Sequence, residues 1–381
     1  MANTLTNLIP VAYRALDVVS RELSGLVSAV NINAAAETIA KGQTIYSPVV
    51  PTGEAIGNIT PAMTVTAATD RTIGTKSLVV DSYKVTGFNW TAEEEFGINT
   101  GVGMEVLMVN TLAQEFRKHV NAIENALCLS ASVGASRAIG ATAGTAPVLA
   151  DFAGAKKILD DNGAPMSERS VVIDTTAGVA LRGTSNLYKV NEAGDEALLR
   201  RGVLGNLYGF AIRESNGIPS TTKGTGINYT TTNAGYAVGA TTLHLITGTG
   251  TIVAGDIVTF AGDTLNKYVV TTGFAGDGTG DIVIAEPGLR VAMSSATKAM
   301  TIFGTTTRNL ALSRNAITLA TRLPKFQSGD QASDRQVITD PQTGISFELT
   351  MWPGQRMVKY EVAIAYGMTV IKPEHLAVII G

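Results

Sequence analysis

Between Val102 and Leu127 the chain carries Val102, Val106, Val109, Ala113, Phe116, Val120, Ile123 and Leu127 at alternating steps of four and three. Side chains so spaced line one stripe of an α-helix, so the pattern predicts a single helix over about residues 99–131. At about 1.5 Å per residue it would run roughly 45 Å, longer than most globular helices. A short coiled coil would show a similar stripe, but Ala113 sits in the seam and the flanking text is strand-like. A backbone helix lying across a sheet fits better. Just upstream, Thr91 and Glu94 have the spacing of a capping box, in which hydroxyl and carboxylate satisfy the first free amides of a helix. Glu93, Glu94 and Glu95 are therefore read as helix-start charge rather than as catalytic carboxylates.

The rest of the chain mixes both periods. Residues 8–24 place Leu8, Val11, Ala12, Ala15, Leu16, Val19 and Leu23 on one face, with Arg14, Asp17 and Arg21 between them, which predicts an amphipathic helix. From Lys41 the segments KGQTIYSPVVP, PAMTVTAATD and TKSLVVDSYKVTGFNW are rich in Val, Thr and aromatics, and read as strands bracketing a long exposed hairpin. Residues 148–162 read as a helix, with Gly163 as a left-handed cap and Pro165 as a stop. Ser170 to Asp174 reads as a buried strand, followed by a short helix near Thr175. Residues 222–302 alternate short β runs with Gly-rich turns and predict a small inserted β-barrel. Beyond it, NLALSRNAITLATRLP is read as helical or half-buried, Gln327 to Thr343 as a polar loop, and FELTMW, KYEVAIAYG and TVIKP as strands. The fold class is α+β.

Composition says what the surface is for. Charged residues are 16% of the chain, against about 25% in an average soluble domain. With 45% hydrophobic residues, positive mean hydropathy and no apolar run of bilayer length, this points to extensive self-association. The 381 residues suggest two or three domains. A net charge of -3 supplies no overall basic field to draw the chain onto nucleic acid or an anionic membrane. The single cysteine, Cys128, excludes an internal disulfide and reads as a small core residue. No basic segment precedes the first apolar residues, so the expected place of synthesis and retention is a cytoplasm.

No catalytic constellation stands out. His119, His244 and His375 lie in separate segments without metal-ligand spacing. The glycines of 248–250 and 276–280 resemble phosphate loops but precede no helix, so they read as hairpin turns. Asp277 and Asp281 could offer oxygens to calcium, yet the twelve-residue ligand pattern is missing. Arg200 and Arg201 could touch phosphate or a neighbouring subunit's carboxylates, and Trp90 and Trp352 read as core or interface anchors. The expectation is no catalytic, cofactor-binding or metal-binding residue.

LRRGVLGNLYGFAIRESNGIP, with Gly202, Gly205, Gly209, Phe210, Ser215, Asn216 and Pro219, resembles a stretch of tailed-bacteriophage major capsid proteins. KGQTIYSPVVP resembles that family's entry into its extended loop, and YGMTVIKPEHLAVII its closing strands. The order of segments resembles the Hong Kong 97-type capsid fold. TTLHLITGTGTIVAGDIVTFAG is similar to the insertion domain of short-tailed Salmonella phage coat proteins.

The resemblance implies an N-terminal arm and helix over 1–45, an extended loop over 46–75 and a peripheral domain with the spine helix over 76–147. An axial domain would cover 148–221, the inserted barrel 222–302, and the return through both domains 303–381. It further implies a non-enzymatic subunit of an icosahedral virion shell, assembled in the host bacterial cytoplasm as hexamers and pentamers. Its partners would be a separate scaffolding protein, a portal protein and, in some systems, a decoration protein. Contact with packaged double-stranded DNA would be non-specific, and no membrane is involved. The rival readings are another self-assembling protein, such as a tail-tube or surface-layer subunit, and an α+β hydrolase or transferase.

Overall fold

The structure is a computed structural model that describes residues 23–49, 61, 73–99, 104–140, 143–184, 205–326, 329, 332–341 and 343–381. The expected helix at 8–24 therefore lies almost wholly outside the described residues, as do Arg200, Arg201 and most of the expected extended loop. Leu23 and Ser24, at the end of that expected helix, are not helical, and the sequence reading missed the strand Asn31–Ile39 that follows.

The long helix is present. Helix α1 spans Ala92–Asn99 and helix α2 spans Met104–Gly134, with residues 100–103 outside the described ones, and α2 ends later than the periodicity suggested. The capping box at the start of α1 is complete. The Thr91 amide donates to Glu94 Oε2 at 2.9 Å, and the Glu94 amide donates to Thr91 Oγ1 at 3.2 Å. Along α2, Val109, Ala113, Phe116, Val120, Ile123 and Leu127 are all buried, while Val102 falls outside the described residues. Leu112, Glu124, Cys128 and Ala131 are buried as well, which makes the hidden arc wider than the stripe alone.

That arc lies on a six-stranded sheet. Its central strand is Met357–Val370, which pairs with Ser82–Thr91 over ten residues, with Ser346–Gly354, and near its end with Ile317–Pro324. Phe347, Leu349, Val362 and Ile364 share one core cluster with the helix. Phe116 meets Phe347 edge-on, with ring centroids 5.3 Å apart.

A second sheet carries, in order, Arg137–Ile139, Leu376–Ile380, Thr306–Ser313, Arg169–Ile173, Phe210–Glu214 and Asn206–Leu207. Helices α3 (Leu149–Asp161) and α4 (Thr175–Arg182) belong to its core, through Phe152, Ala155 and Leu159 of α3 and Ala177 and Leu181 of α4. Gly163 does take the left-handed conformation after α3, at φ +72°, and Asp174 caps α4 by accepting from the Thr176 amide at 3.1 Å.

The expectation for NLALSRNAITLATRLP is corrected: it forms two strands, Thr306–Ser313 and Ile317–Pro324, joined by the 3-10 turn Arg314–Ala316. The reason is burial on both faces. Leu310 and Leu312 point into the α2 core while Ala311 points into the α3–α4 core. A strand covered on both sides has no alternating pattern and cannot be told from a buried helix by periodicity. The expected polar loop from Gln327 to Thr343 likewise contains an edge strand, Asp334–Thr339.

Within residues 222–302 six strands pair in a closed cycle. Thr230–Thr231 pairs with Thr242–Gly248, then follow Gly278–Ile284, Asp263–Thr272, Ile257–Phe260 and Met300–Ile302. The Met300 amide then donates to the Tyr229 carbonyl at 2.9 Å, and Thr230 bridges Ala299, which returns the cycle to its start. Inside lies a separate cluster that includes Tyr229, Leu243, Phe260, Tyr268 and Ile282. The ring is still knitted to its host: Lys267 and Tyr268 pair with Ala138 and Arg137, and Ile257 and Val269 belong to the α2 core. Its glycine turns serve packing as well as turning. A Cβ on Gly248 would fall 2.1 Å from the Tyr229 ring, and one on Gly280 2.1 Å from the Phe274 ring.

Candidate functional site

The three histidines do not converge. His119 is buried on α2, its Nε2 2.9 Å from both Thr86 Oγ1 and the Val362 carbonyl, and burial pushes its pKa below the ordinary value. His244 sits half-exposed on the ring beside Asp281. His375 is buried near the C-terminal strand. Asp277 is occupied in turn-building, accepting from the Gly250 amide at 2.6 Å. Among the described residues no group of three His, Cys, Asp or Glu could hold a metal ion. Cys128 is fully buried, and burial with the nearby Glu124 pushes its thiol pKa up, away from the reactive thiolate. No described helix is long and apolar enough to cross a membrane. Trp90 is half-buried beside Phe88, ring centroids 5.6 Å apart, and Trp352 lies with Arg335 over its ring.

The features that do stand out are mechanical. Strands Gln43–Val49 and Gly74–Val80 form an unbroken antiparallel ladder from Gln43↔Val80 to Val49↔Gly74. Its base is anchored in the core, where Leu78 and Val80 pack with Ile39, Ala320 and Ala365, and part-way up Lys76 pairs with Glu286 of the ring at 3.7 Å. Gly367 permits this close seat, since a Cβ there would lie 2.2 Å from the Val79 carbonyl oxygen. Away from the base, Tyr46 is 69% exposed and Ile73 63%. Phe96 on α1, Leu265 on the ring, and Met166 and Val179 beside the second sheet are also largely exposed. Single exposed apolar side chains are ordinary, but large ones on a projecting ladder, in a chain this poor in charge, suit contact with another protein surface.

Beneath these surfaces a buried carboxylate ties three segments together. Glu124 Oε1 accepts from the Leu26 amide at 2.8 Å and the Ser215 hydroxyl at 2.6 Å, while Oε2 accepts from the Val27 amide at 2.9 Å. The chain leaving the N-terminal segment, helix α2 and the end of Phe210–Glu214 thus share one acceptor. Sequence reasoning missed this residue. Its signal was an acid four residues after Val120, on the core-facing side of the helix. Arg137 plays a similar part, its Nη1 reaching Asn266 of the ring at 3.2 Å and its Nη2 reaching Asn162 after α3 at 3.3 Å. The Glu124 link joins segments within the host core, while the Arg137 link joins the ring to the turn after α3.

No family model matches the chain, and no curated protein matches it either. Solved structures do. A chain from the capsid structure of the cyanophage P-SCSP1u superposes with a TM-score of 0.52 at 14% identity, covering 95% of this chain and 89% of that one. A chain from Mycobacterium phage Che8 superposes at 0.51 and 15% identity, covering 94% and 92%. The chain therefore shares, over nearly its whole length, the fold of these two phage proteins, one of them seen in a capsid.

Proposed function

We propose that this chain is the major capsid protein of a tailed bacteriophage, with the Hong Kong 97-type fold and residues 222–302 as an inserted β-barrel. The observation that carries the reading is the near full-length superposition on a chain of the cyanophage capsid structure. In this reading α2 is the spine helix of the peripheral domain, and the second sheet with α3 and α4 is the axial domain. The ladder Gln43–Val49 with Gly74–Val80 is the root of an extended loop laid over a neighbour. Its anchored base and exposed apolar outer part support that role. Copies of the chain would form hexamers and pentamers of an icosahedral shell around double-stranded DNA, guided by a scaffolding protein and joined at one vertex by a portal protein. The subunit is not an enzyme; its work is to make many modest contacts whose sum is large. A tail-tube subunit is the rival, and the 31-residue helix across the sheet favours the shell.

Some shells of this fold class are sealed by lysine-to-asparagine isopeptide bonds through the extended loop. This chain has no lysine between Gln43 and Thr75, so the loop offers no amine to form such a bond. The shell is therefore held by burial of loop and arm, at roughly 25 cal/mol per Å² of apolar area removed from water. Particles formed with the scaffolding protein should sediment as megadalton assemblies, yet after boiling in detergent run as one band near 39.6 kDa. A ladder of covalent multimers would refute the non-covalent shell, and material that never leaves the monomer fraction would refute assembly itself.

A further inference from the structure

Five buried polar atoms gather at the joint between the strand ring and its host sheet without a hydrogen-bond partner among the described residues. They are Nε, Nη1 and Nη2 of Arg308 and the Oγ1 atoms of Thr221 and Thr306. Thr221 lies directly opposite Thr306 in the ladder between Ser220–Thr221 and Thr306–Ser313. Arg308, two residues further on, points to the same side of its strand as Thr306. Asp256, fully buried in a turn of the ring, follows Gly255, where a Cβ would lie 3.8 Å from Thr221 Cγ2, and its carboxylate couples electrostatically to the guanidinium. Its carboxylate is fixed by the Gly224 amide at 3.0 Å and the Val253 amide at 2.9 Å.

The chemistry narrows what can complete this group. Arginine and aspartate already balance in charge, so neither an anion nor a cation is called for. What is missing is hydrogen bonds, to three guanidinium nitrogens with five N–H groups on one side and to two hydroxyls on the other. A small neutral molecule that both donates and accepts meets that need, and solvent water does so at buried polar sites with two to four partners.

We propose that Arg308, Asp256, Thr221 and Thr306 enclose ordered water that bridges guanidinium to carboxylate, forming a buried latch that sets how the ring sits on its host sheet. The position suits a latch. Thr221 stands where the chain enters residues 222–302, and Thr306 stands just after it leaves. The latch is a property of the single subunit and is independent of whether the subunit builds shells.

Two measurements on the full chain test it. A high-resolution map should show ordered water within hydrogen-bond distance of the Arg308 guanidinium; a direct Arg308–Asp256 ion pair, or a protein side chain filling the space, overturns the bridge. Urea unfolding of Arg308→Met, Asp256→Asn and the double variant forms a cycle. The two changes should be coupled by about tenfold in the unfolding equilibrium, the double variant being less damaged than the singles imply. Purely additive effects overturn the latch. Should Arg308→Met not fold, Arg308→Lys keeps the charge but loses the fork, and the Gly224 and Val253 amides should then exchange about tenfold faster with solvent deuterium. Unchanged protection of those amides also overturns it.

Discussion

Replacing Phe116 by alanine should lower the unfolding free energy of the subunit by about 3–5 kcal/mol. The ring is fully buried in the middle of α2 and edge-on to Phe347 on the sheet beneath. Truncation removes a large apolar surface and leaves a cavity that a helix pinned on both sides cannot close. The cost falls where helix and sheet meet, so both should melt together, and assembly should become temperature-sensitive. Phe116→Leu, which fills most of the volume, should cost markedly less. Denaturant melts of the purified chain provide the measurement, and an unchanged midpoint for Phe116→Ala would place this face in solvent.

Glu124→Ala should cost about 3 kcal/mol or more, by a different route. The substitution strands the Leu26 and Val27 amides and the Ser215 hydroxyl, each buried or nearly so, and an orphaned buried donor costs about 1–3 kcal/mol. Glu124→Gln is the sharper variant because it keeps the shape. Both carboxylate oxygens accept, so whichever one becomes an NH₂ is set against a donor. Its expected signature is local: the Leu26 and Val27 amides lose protection from hydrogen exchange while the sheet core keeps it. Full protection of both amides in Glu124→Gln would show that the carboxylate does not tie the N-terminal segment to the helix.

The two residues also mark what could be read from the sequence. Phe116 belongs to a long single-faced stripe, and such periodicity survives any tertiary context. The capping box at Thr91 and the glycine stop at Gly163 were legible for the same reason, since each is a local device with a local cause. For Glu124 only its place on the core-facing side of the helix was legible; its partners lie 98, 97 and 91 residues away and nothing near it in sequence announces them. The strands at 306–324 failed for a further reason. Buried on both faces between two cores, they lose the alternation by which a strand is recognised. The turn-rich text of 222–302 announced short strands, but neither the closing hydrogen bonds at Tyr229 and Met300 nor the shared edge with Arg137–Ile139 has a local signature.

Charge and chemistry candidates followed the same division. Cys128 was readable as a core residue because a lone thiol among apolar helix positions has few other uses. The Asp277 carboxylate proved to brace the turn at Gly250, a pairing across 27 residues that only the folded chain brings together. Such non-local pairings also tie distant segments together: Glu124 joins Leu26, Val27 and Ser215 to α2, and Arg137 joins the ring to the turn after α3.

Electron microscopy of the chain coexpressed with the scaffolding protein that the proposal calls for tests the central claim most directly. Closed shells of icosahedral symmetry, built from hexamers and pentamers of this chain, are the expected result. Open tubes would assign it to a tail, and dispersed monomers at concentrations where a coat protein assembles would contradict the account.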